Sequence, residues 1–446
     1  MQYTDIGKTW QKLSLISGHA RRDQRFQFTS LAHLLNEEYL RDCYKSLKRN
    51  KAVGIDKVGW EEYGRNLERN VAELVSRLKR KKYKPIPARR VYIPKNETEK
   101  RPLGISALEN KIVERGITWI LESIYEEDFL DCSYGFRPKR NAHQALKKLN
   151  DEIMFQPVNH IVEADIKGFF DNVSHEKLLE FLKIRVGDTV LLNLINRFLK
   201  AGYVDNGILV KPEAGTPQGS ILSPLLANIF LHYVLDTWFE TTVKSHVKGY
   251  CEIVRYADDF LCLVRYEEDA KRIERGLRNR FGKYGLELHP TKSRKLSFGR
   301  FERENAQKQS RRANTFDFLG FTHFVSKSRK GFFKVSRKTS QKKFSAKCKE
   351  MNVWLKSIRN LIETKEWWKI LRAKLRGHFQ YYGVSENYRS VHKFYNCTIR
   401  MVRKWMNRRS QKKTMSWEKY SKYLEYYPLP KPRIVHRFFL SPVRVS

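Results

Sequence analysis

Two adjacent aspartates, Asp258 and Asp259, lie between apolar runs: Ile253 and Val254 before them, Phe260 to Val264 after. The simplest geometry for that pattern is a β-hairpin with the acidic pair at its tip. Two carboxylates amid apolar strands repel each other and lose hydration. A cation removes that cost, and oxygen ligands favour Mg²⁺ or Ca²⁺. Alone, the motif could also be an ordinary Asp-containing turn. A second acidic strand end sharpens the reading: Asp165 closes the apolar pattern His160-Ile161-Val162-Glu163-Ala164-Asp165-Ile166, just before a turn containing Gly168. An Asp from one strand plus an Asp pair from a hairpin is a ligand set for two Mg²⁺ ions. Two metals about 3.5–4 Å apart can activate a 3′-hydroxyl and stabilise a leaving pyrophosphate. Such phosphoryl transfer works by positioning and electrostatics, with little covalent chemistry from the protein.

Mixed elements must position these carboxylates. The spacing predicts strands at 160–166, 251–256 and 260–264, with helices between them at about 174–184, 188–201, 220–239 and 267–284. That alternation means an α+β or α/β domain. Upstream, Ser30 can cap a helix carrying Leu31, Leu34, Leu35, Leu40, Tyr44 and Leu47. Leu67, Val71, Leu74, Val75 and Leu78 mark a second helix, ending near Pro85. An Arg- and Pro-rich loop or hairpin follows at 85–105, then a helix at 107–130. Residues 299–314 are polar and read as an exposed connection. After about 335 the period is helical throughout.

The chain has 446 residues, too many for one ordinary domain, and 41% hydrophobic content, enough for proper cores. Its 88 Lys+Arg against 48 Asp+Glu leave a net charge of +40, whose physical partner is a polyanion, nucleic acid before an anionic membrane. Residues 291–446 hold 40 Lys+Arg and 9 Asp+Glu, so most of the excess is in the last third. Aromatic residues interleave with these charges, as at Trp367-Trp368 and Trp405, a mixture that suits RNA if the rings are exposed. The alternative is a solvated basic face on a helical domain. No run of 18 apolar residues occurs, the N-terminus has no apolar core of a secretion signal, and no Cys-x-x-Cys pair is present. Zinc modules and membrane spanning are not expected, and a cytoplasmic location is.

Tyr256-Ala257-Asp258-Asp259 resembles the active-site box of reverse transcriptases. The surrounding blocks resemble group II intron-encoded reverse transcriptase/maturases, in the same order. Tyr92-Ile93-Pro94-Lys95 and Lys100 to Ile105 resemble the fingers block, Tyr134-Gly135-Phe136-Arg137-Pro138 the next, and Asp165 to Asn172 the first palm block. Gly215-Thr216-Pro217-Gln218-Gly219-Ser220, Leu288 to Lys292 and Phe316 to Phe321 continue the series. Leu375 to Gly383 is similar to the maturase-type thumb. The resemblance covers roughly residues 30–435.

It implies an α+β right-hand polymerase: fingers and a palm with an antiparallel, RNA-recognition-like sheet, then an all-α thumb. The implied division is 1–88 for an N-terminal extension and start of fingers, 89–155 for fingers, 156–322 for a palm with finger insertions, and 335–446 for a basic helical thumb. The reverse transcriptase domain would span about 70–322. The implied activity is RNA-directed DNA synthesis with two Mg²⁺ ions, Mn²⁺ substituting, on Asp165, Ile166, Asp258 and Asp259. The implied partners are an RNA template, a DNA primer, dNTPs, a group II intron RNA to be held in its spliceable fold, and target DNA.

Lys95 and Arg101 could hold the triphosphate, or be solvated finger charges. Phe170 takes the place of the aromatic that excludes a 2′-hydroxyl, although it or Phe169 could be core. Gln218 would lie by the nascent base pair, and Gly219 permits close backbone approach. Tyr256, Arg403 and Lys404 are expected against template and primer. Arg137 resembles a template-side residue, but the sequence does not separate that from an internal ion pair. Lys292 could assist the leaving pyrophosphate or be a plain surface lysine. No His/Cys-rich nuclease module follows the thumb, and little chain remains after Arg433, so neither endonuclease activity nor a separate DNA-binding domain is expected. A domesticated relative in phage defence, repair or spacer acquisition would share every catalytic block. Phe170 argues against an RNA-dependent RNA polymerase, and the intact aspartates against a non-enzymatic scaffold.

Overall fold

The structure is a computed structural model and describes residues 7–94, 99–409 and 415–438. Its strands are β1 (Ala88–Pro94), β2 (Lys100–Ile105), β3 (His160–Asp165), β4 (Tyr203–Asp205), β5 (Ile208–Val210), β6 (Cys251–Tyr256), β7 (Asp259–Val264), β8 (Arg294–Ser297), β9 (Thr315–Phe318), β10 (Phe321–Lys327) and β11 (Phe333–Thr339). Among the described residues they form three sheets, ordered β2-β1-β4-β5, β6-β7-β3-β8 and β11-β10-β9. The fold is mixed α+β with a helical C-terminal region.

The central sheet carries the carboxylates. It is antiparallel throughout, with β7 between β6 and β3. Because strand side chains alternate between faces, β7 serves two cores. Phe260, Cys262 and Val264 join the core under the helices Leu108–Tyr125, His175–Arg185 and Ser223–Leu231. Leu261 and Leu263 join a second core with the third sheet and the C-terminal helices. A strand buried on both faces reads as an unbroken apolar run, as residues 260–264 do. Period two then places Asp259 and Asp165 on the second face, toward the C-terminal helices.

Several expectations are corrected. The helix expected from Ser30 is broken: a 3₁₀ turn at Ala32–Leu34 precedes a helix at Glu37–Ser46. Its cap is Asn36, whose side chain accepts from the Tyr39 N–H at 3.0 Å, while Ser30 pairs with His33. Residues 299–314 are not a plain exposed connection. They contain the helix Glu302–Lys308, and buried Glu302 accepts from Arg311 at 2.6 Å and from the Asn314 N–H at 2.8 Å. The helical period after 335 begins only at Gln341, since β11 runs to Thr339. The helix expected at 220–239 runs to His246, with wider π turns at His232–Asp236 and Phe239–Val243. No described helix is long and apolar enough to cross a membrane.

Candidate active site

The acidic hairpin turns in two residues: Tyr256 pairs with Asp259, leaving Ala257 and Asp258 as the loop. Ala257 has φ +58°, a left-handed conformation that costs a residue with a Cβ about 1–2 kcal/mol. Neighbours hold it there. The Arg255 guanidinium donates to the Ala257 carbonyl at 2.9 Å. Gly135 passes so close that a Cβ on it would lie 2.4 Å from the Ala257 nitrogen. Asp165 sits directly across from Asp259 in the β3–β7 register, so strand pairing alone brings the carboxylates together. Asp165 is braced through its backbone, its carbonyl accepting from the His289 N–H at 2.7 Å. Ile166, next along the chain, is buried and bridges to Leu288.

The electrostatics follow from this crowding. Burial, then the charges of Asp258, Asp165 and Glu163, push the Asp259 carboxyl up to about 7, partly offset by Lys292. Burial also raises Asp258, with Arg101 and Arg255 opposing. Lys292 is not a free surface lysine: its Nζ lies 2.5 Å from Asp165 Oδ2. Arg294 likewise pairs with Glu163 at 2.7 Å. With Asp165 turned to Lys292, no group of three His, Cys, Asp or Glu side chains converges as a formed metal cage among the described residues. The donor set itself, three clustered carboxylates that resist sharing negative charge, has the chemistry of a hard divalent-cation site.

A second group of expected residues lies beside the carboxylates. Gly168 turns with φ +57° and leads into the short helix Phe169–Asn172. Phe169 is core, 2% exposed. Phe170 is half-buried with its ring edge-on to Phe169 at 5.4 Å. This turn is stitched to the Gly215 segment, since the Thr216 N–H donates to the Phe170 carbonyl at 2.7 Å and the Gly215 N–H to Val173 at 2.8 Å. Gln218 reaches Asp171 Oδ1 at 3.5 Å, and its carbonyl accepts from the Gly104 N–H at 2.6 Å. Exposed Gly219 has φ +109°, and a Cβ there would meet the Gly104 carbonyl at 2.3 Å. Beneath the loop, fully buried Glu114 accepts from the Ile221 N–H at 2.8 Å and the Ser106 hydroxyl at 3.0 Å. Arg101 is exposed on β2, within electrostatic reach of Asp258. Lys95 lies outside the described residues.

Arg137, for which the sequence left a template contact and an internal ion pair open, is turned inward. Its side chain is 4% exposed, pairs with Glu126 at 3.1 Å and donates to the carbonyls of Leu130 and Ser133. All its useful donors are spent, so it braces the loop after Phe129. The aromatics of the last third are also mostly internal: Trp367, Trp368 and Trp405 are buried, and the exposed rings among the described residues are Phe301, Phe332, Tyr388, Trp417, Tyr426 and Tyr427. Arg403 is half-buried over the Trp417 ring at 4.3 Å, and exposed Lys404 lies 5.2 Å from the Trp405 ring centre. Between the carboxylates and these helices opens a cleft of about 650 Å³, lined by Asp259, Gly320, Lys343, Lys347, Lys374 and Tyr381 among others. Tyr256 is half-buried at the end of β6.

Sequence reasoning passed over Arg255, Asp236 and Glu114. The available signal was a lone arginine inside an apolar strand, since a buried charge requires a buried partner; nothing local named the partner.

Comparison with known proteins agrees with this geometry. The reverse transcriptase (RNA-dependent DNA polymerase) family profile matches residues 93–323, just over half of the chain. The group II intron-encoded protein LtrA of Lactococcus lactis subsp. cremoris is 40% identical over 222 residues, 49% of this chain and 37% of LtrA. A putative COX1/OXI3 intron 1 protein of Saccharomyces cerevisiae is 36% identical over 169 residues, 38% of this chain and 20% of that protein. The nuclear intron maturase 4, mitochondrial, of Arabidopsis thaliana is 25% identical over 217 residues, 48% of this chain and 25% of that protein. The matched stretch thus spans well under half the length of each of these relatives. By the extent of the profile match and the paired carboxylates within it, the chain belongs to the reverse transcriptase family.

Proposed function

We propose that this protein is an RNA-directed DNA polymerase that also binds a group II intron RNA to assist its splicing and mobility. One observation carries the polymerase reading: Asp165 and Asp259 face each other in one sheet, with Asp258 in the adjoining turn, on the face that opens onto a lysine-lined cleft. In this reading the chain is a right hand, with an N-terminal extension and start of fingers at 1–88, fingers at 89–155, palm with finger insertions at 156–322 and basic thumb at 335–446. The family match ending at residue 323 supports the boundary between palm and thumb.

Asp165, Asp258 and Asp259, with the backbone of Ile166, would hold two Mg²⁺ ions or Mn²⁺ in their place. Bound there, the ions would supply activation of the primer 3′-hydroxyl and neutralisation of the leaving pyrophosphate. The protein's own groups orient the reactants. Arg101, with Lys95, binds the triphosphate of the incoming dNTP. Lys292, which pairs with Asp165, would be the cation nearest these carboxylates to meet the phosphates of the nucleotide. Phe170 packs under the sugar, while Gln218 and Gly219 back the nascent base pair. Tyr256 supports the primer end, and the cleft lysines follow the strand. Arg403 and Lys404 belong to a basic surface for intron RNA and primer–template, with target DNA a further partner. Free cysteines fit action in the cytoplasm.

Asp258→Asn tests the reading. It should lower primer extension on an RNA template on the order of 10³-fold or more while sparing template binding. Extension at a tenth of the wild-type rate would sink the assignment.

A further inference from the structure

Arg255 and Asp236 are both fully buried, with side chains 0% exposed. The guanidinium spends its donors in a set pattern. Nε donates to Asp236 Oδ1 at 2.7 Å, and Nη2 to Asp236 Oδ2. Nη1 is shared between Asn228 Oδ1 at 3.0 Å and the Ala257 carbonyl at 2.9 Å. Asn228 passes the connection on, donating to the Gly135 carbonyl at 2.7 Å. Gly135 is the residue pressed against the Ala257 nitrogen. The Arg255 backbone closes the ring: its N–H donates to Cys132 at 2.8 Å, and its carbonyl accepts from the Tyr134 N–H at 2.9 Å. The left-handed Ala257 is therefore held from both sides by one connected network.

Helix geometry is adapted to the same end. At 3.6 residues per turn, eight residues leave Asn228 and Asp236 about 80° apart around the helix. The wider turn over His232–Asp236 closes much of that gap, so both side chains reach one guanidinium. A buried ion pair is a poor source of stability, since apolar residues of similar volume often do as well. Here the pair has an additional consequence. It leaves one arm of a rigid fork aimed at the carbonyl of the Ala257–Asp258 peptide, and the plane of that peptide sets the direction of the Asp258 side chain.

We propose that Arg255, oriented by Asp236 and Asn228, is a positioning residue that fixes the Ala257–Asp258 peptide and so aims the Asp258 carboxylate. The proposal rests on the polymerase reading of the carboxylates. If the wild-type protein extends no primer, that reading fails; if it extends primers and the variants below match it, only the role of Arg255 fails.

The test uses the full-length chain in single-turnover primer extension, titrating Mg²⁺ and dNTP separately. Arg255→Met combined with Asp236→Leu removes the fork without leaving an orphan charge. It should bind primer–template with the wild-type Kd and keep the KM for dNTP within about twofold. Its kcat should fall roughly 10- to 100-fold, and the Mg²⁺ concentration for half-maximal rate should rise several-fold. Arg255→Lys, a single donor head that reaches Asp236 or the Ala257 carbonyl but not both, should fall between. A folded double variant with wild-type kcat and Mg²⁺ dependence overturns the proposal. If the double variant does not fold, Arg255→Lys decides: an unchanged Mg²⁺ response, or failure to fold as well, reduces Arg255 to a stability element.

Discussion

Phe169 and Phe170 are neighbours of the same type with different fates. Phe169 enters the core against Phe230, whereas Phe170 stays half-buried, its backbone against the Gly215 segment. Of the two rings only the half-buried one is open to a ligand, so under the proposed function Phe170 is the gate of the pair. Phe170→Val should open space for a 2′-hydroxyl and raise the ratio of ribonucleotide to deoxynucleotide incorporation at least tenfold, in line with what one lost apolar contact can discriminate. It should cost about 1–2 kcal/mol of stability, since the ring is only partly packed. Single-nucleotide extension with matched rNTP and dNTP measures the ratio; an unchanged value in a folded variant would move the gate elsewhere. The same local contrast separates the arginines. Arg101 and Arg137 lie in adjacent sequence blocks, yet one points to solvent near Asp258 and the other is consumed by Glu126.

At the scale of elements, the helices Thr364–Tyr382 and Tyr388–Asn407 meet through His378, whose ring stacks on Phe394 at 3.7 Å. Burial, and then the charge of Lys347, lower His378 to about 4. The unfolded chain takes up this proton near 6.5, the folded one only near 4. The unfolded state therefore binds more protons between those values, and stability falls as pH drops through that window. The difference is worth on the order of 3 kcal/mol by pH 4. Buried His232, also lowered to about 4, works in the same direction. His378→Phe should keep the stack and remove this proton uptake, so its Tm should decline several degrees less than wild type between pH 7 and pH 4. Parallel acid slopes for the two proteins would show that the helix pair does not depend on a neutral imidazole.

Across the whole molecule, the charge excess is concentrated in the part that carries none of the three clustered aspartates. Lys404, Arg408 and Arg409 are exposed near the end of the helix Tyr388–Asn407, with Arg403 half-buried beside them. Each neutralised phosphate releases counterions, so each lost contact should flatten the log–log dependence of affinity on salt by about 0.7–0.9. Replacing all four by Gln should weaken binding to both structured intron RNA and primer–template and lower that slope by about 2–4. Filter binding across a KCl series reads it. The same affinity and slope in the variant would mean that these charges only solvate the helices. Asp258→Asn should leave both quantities unchanged, because it removes no phosphate-neutralising cation, and should spare splicing support, whose chemistry belongs to the RNA.

What could be read from the chain alone was what short-range rules dictate. Apolar runs placed the strands at 160–166, 251–256 and 260–264, the acidic pair between two of them read as a hairpin tip, and Gly168 marked the strand end. The ordered blocks then gave the family. Tertiary structure decided what depends on distant partners. Asn36 rather than Ser30 starts its helix because the segment ahead of it is drawn to Asp188, which accepts from the Leu31 and Ala32 N–H groups at 2.7 Å. Trp367, Trp368 and Trp405 turn inward because facing helices offer them more apolar area than solvent does. Arg255 finds Asp236, 19 residues away, and Lys292 finds Asp165, 127 residues away. No local periodicity encodes such pairs, because a buried charge is placed by where the fold brings its counter-charge.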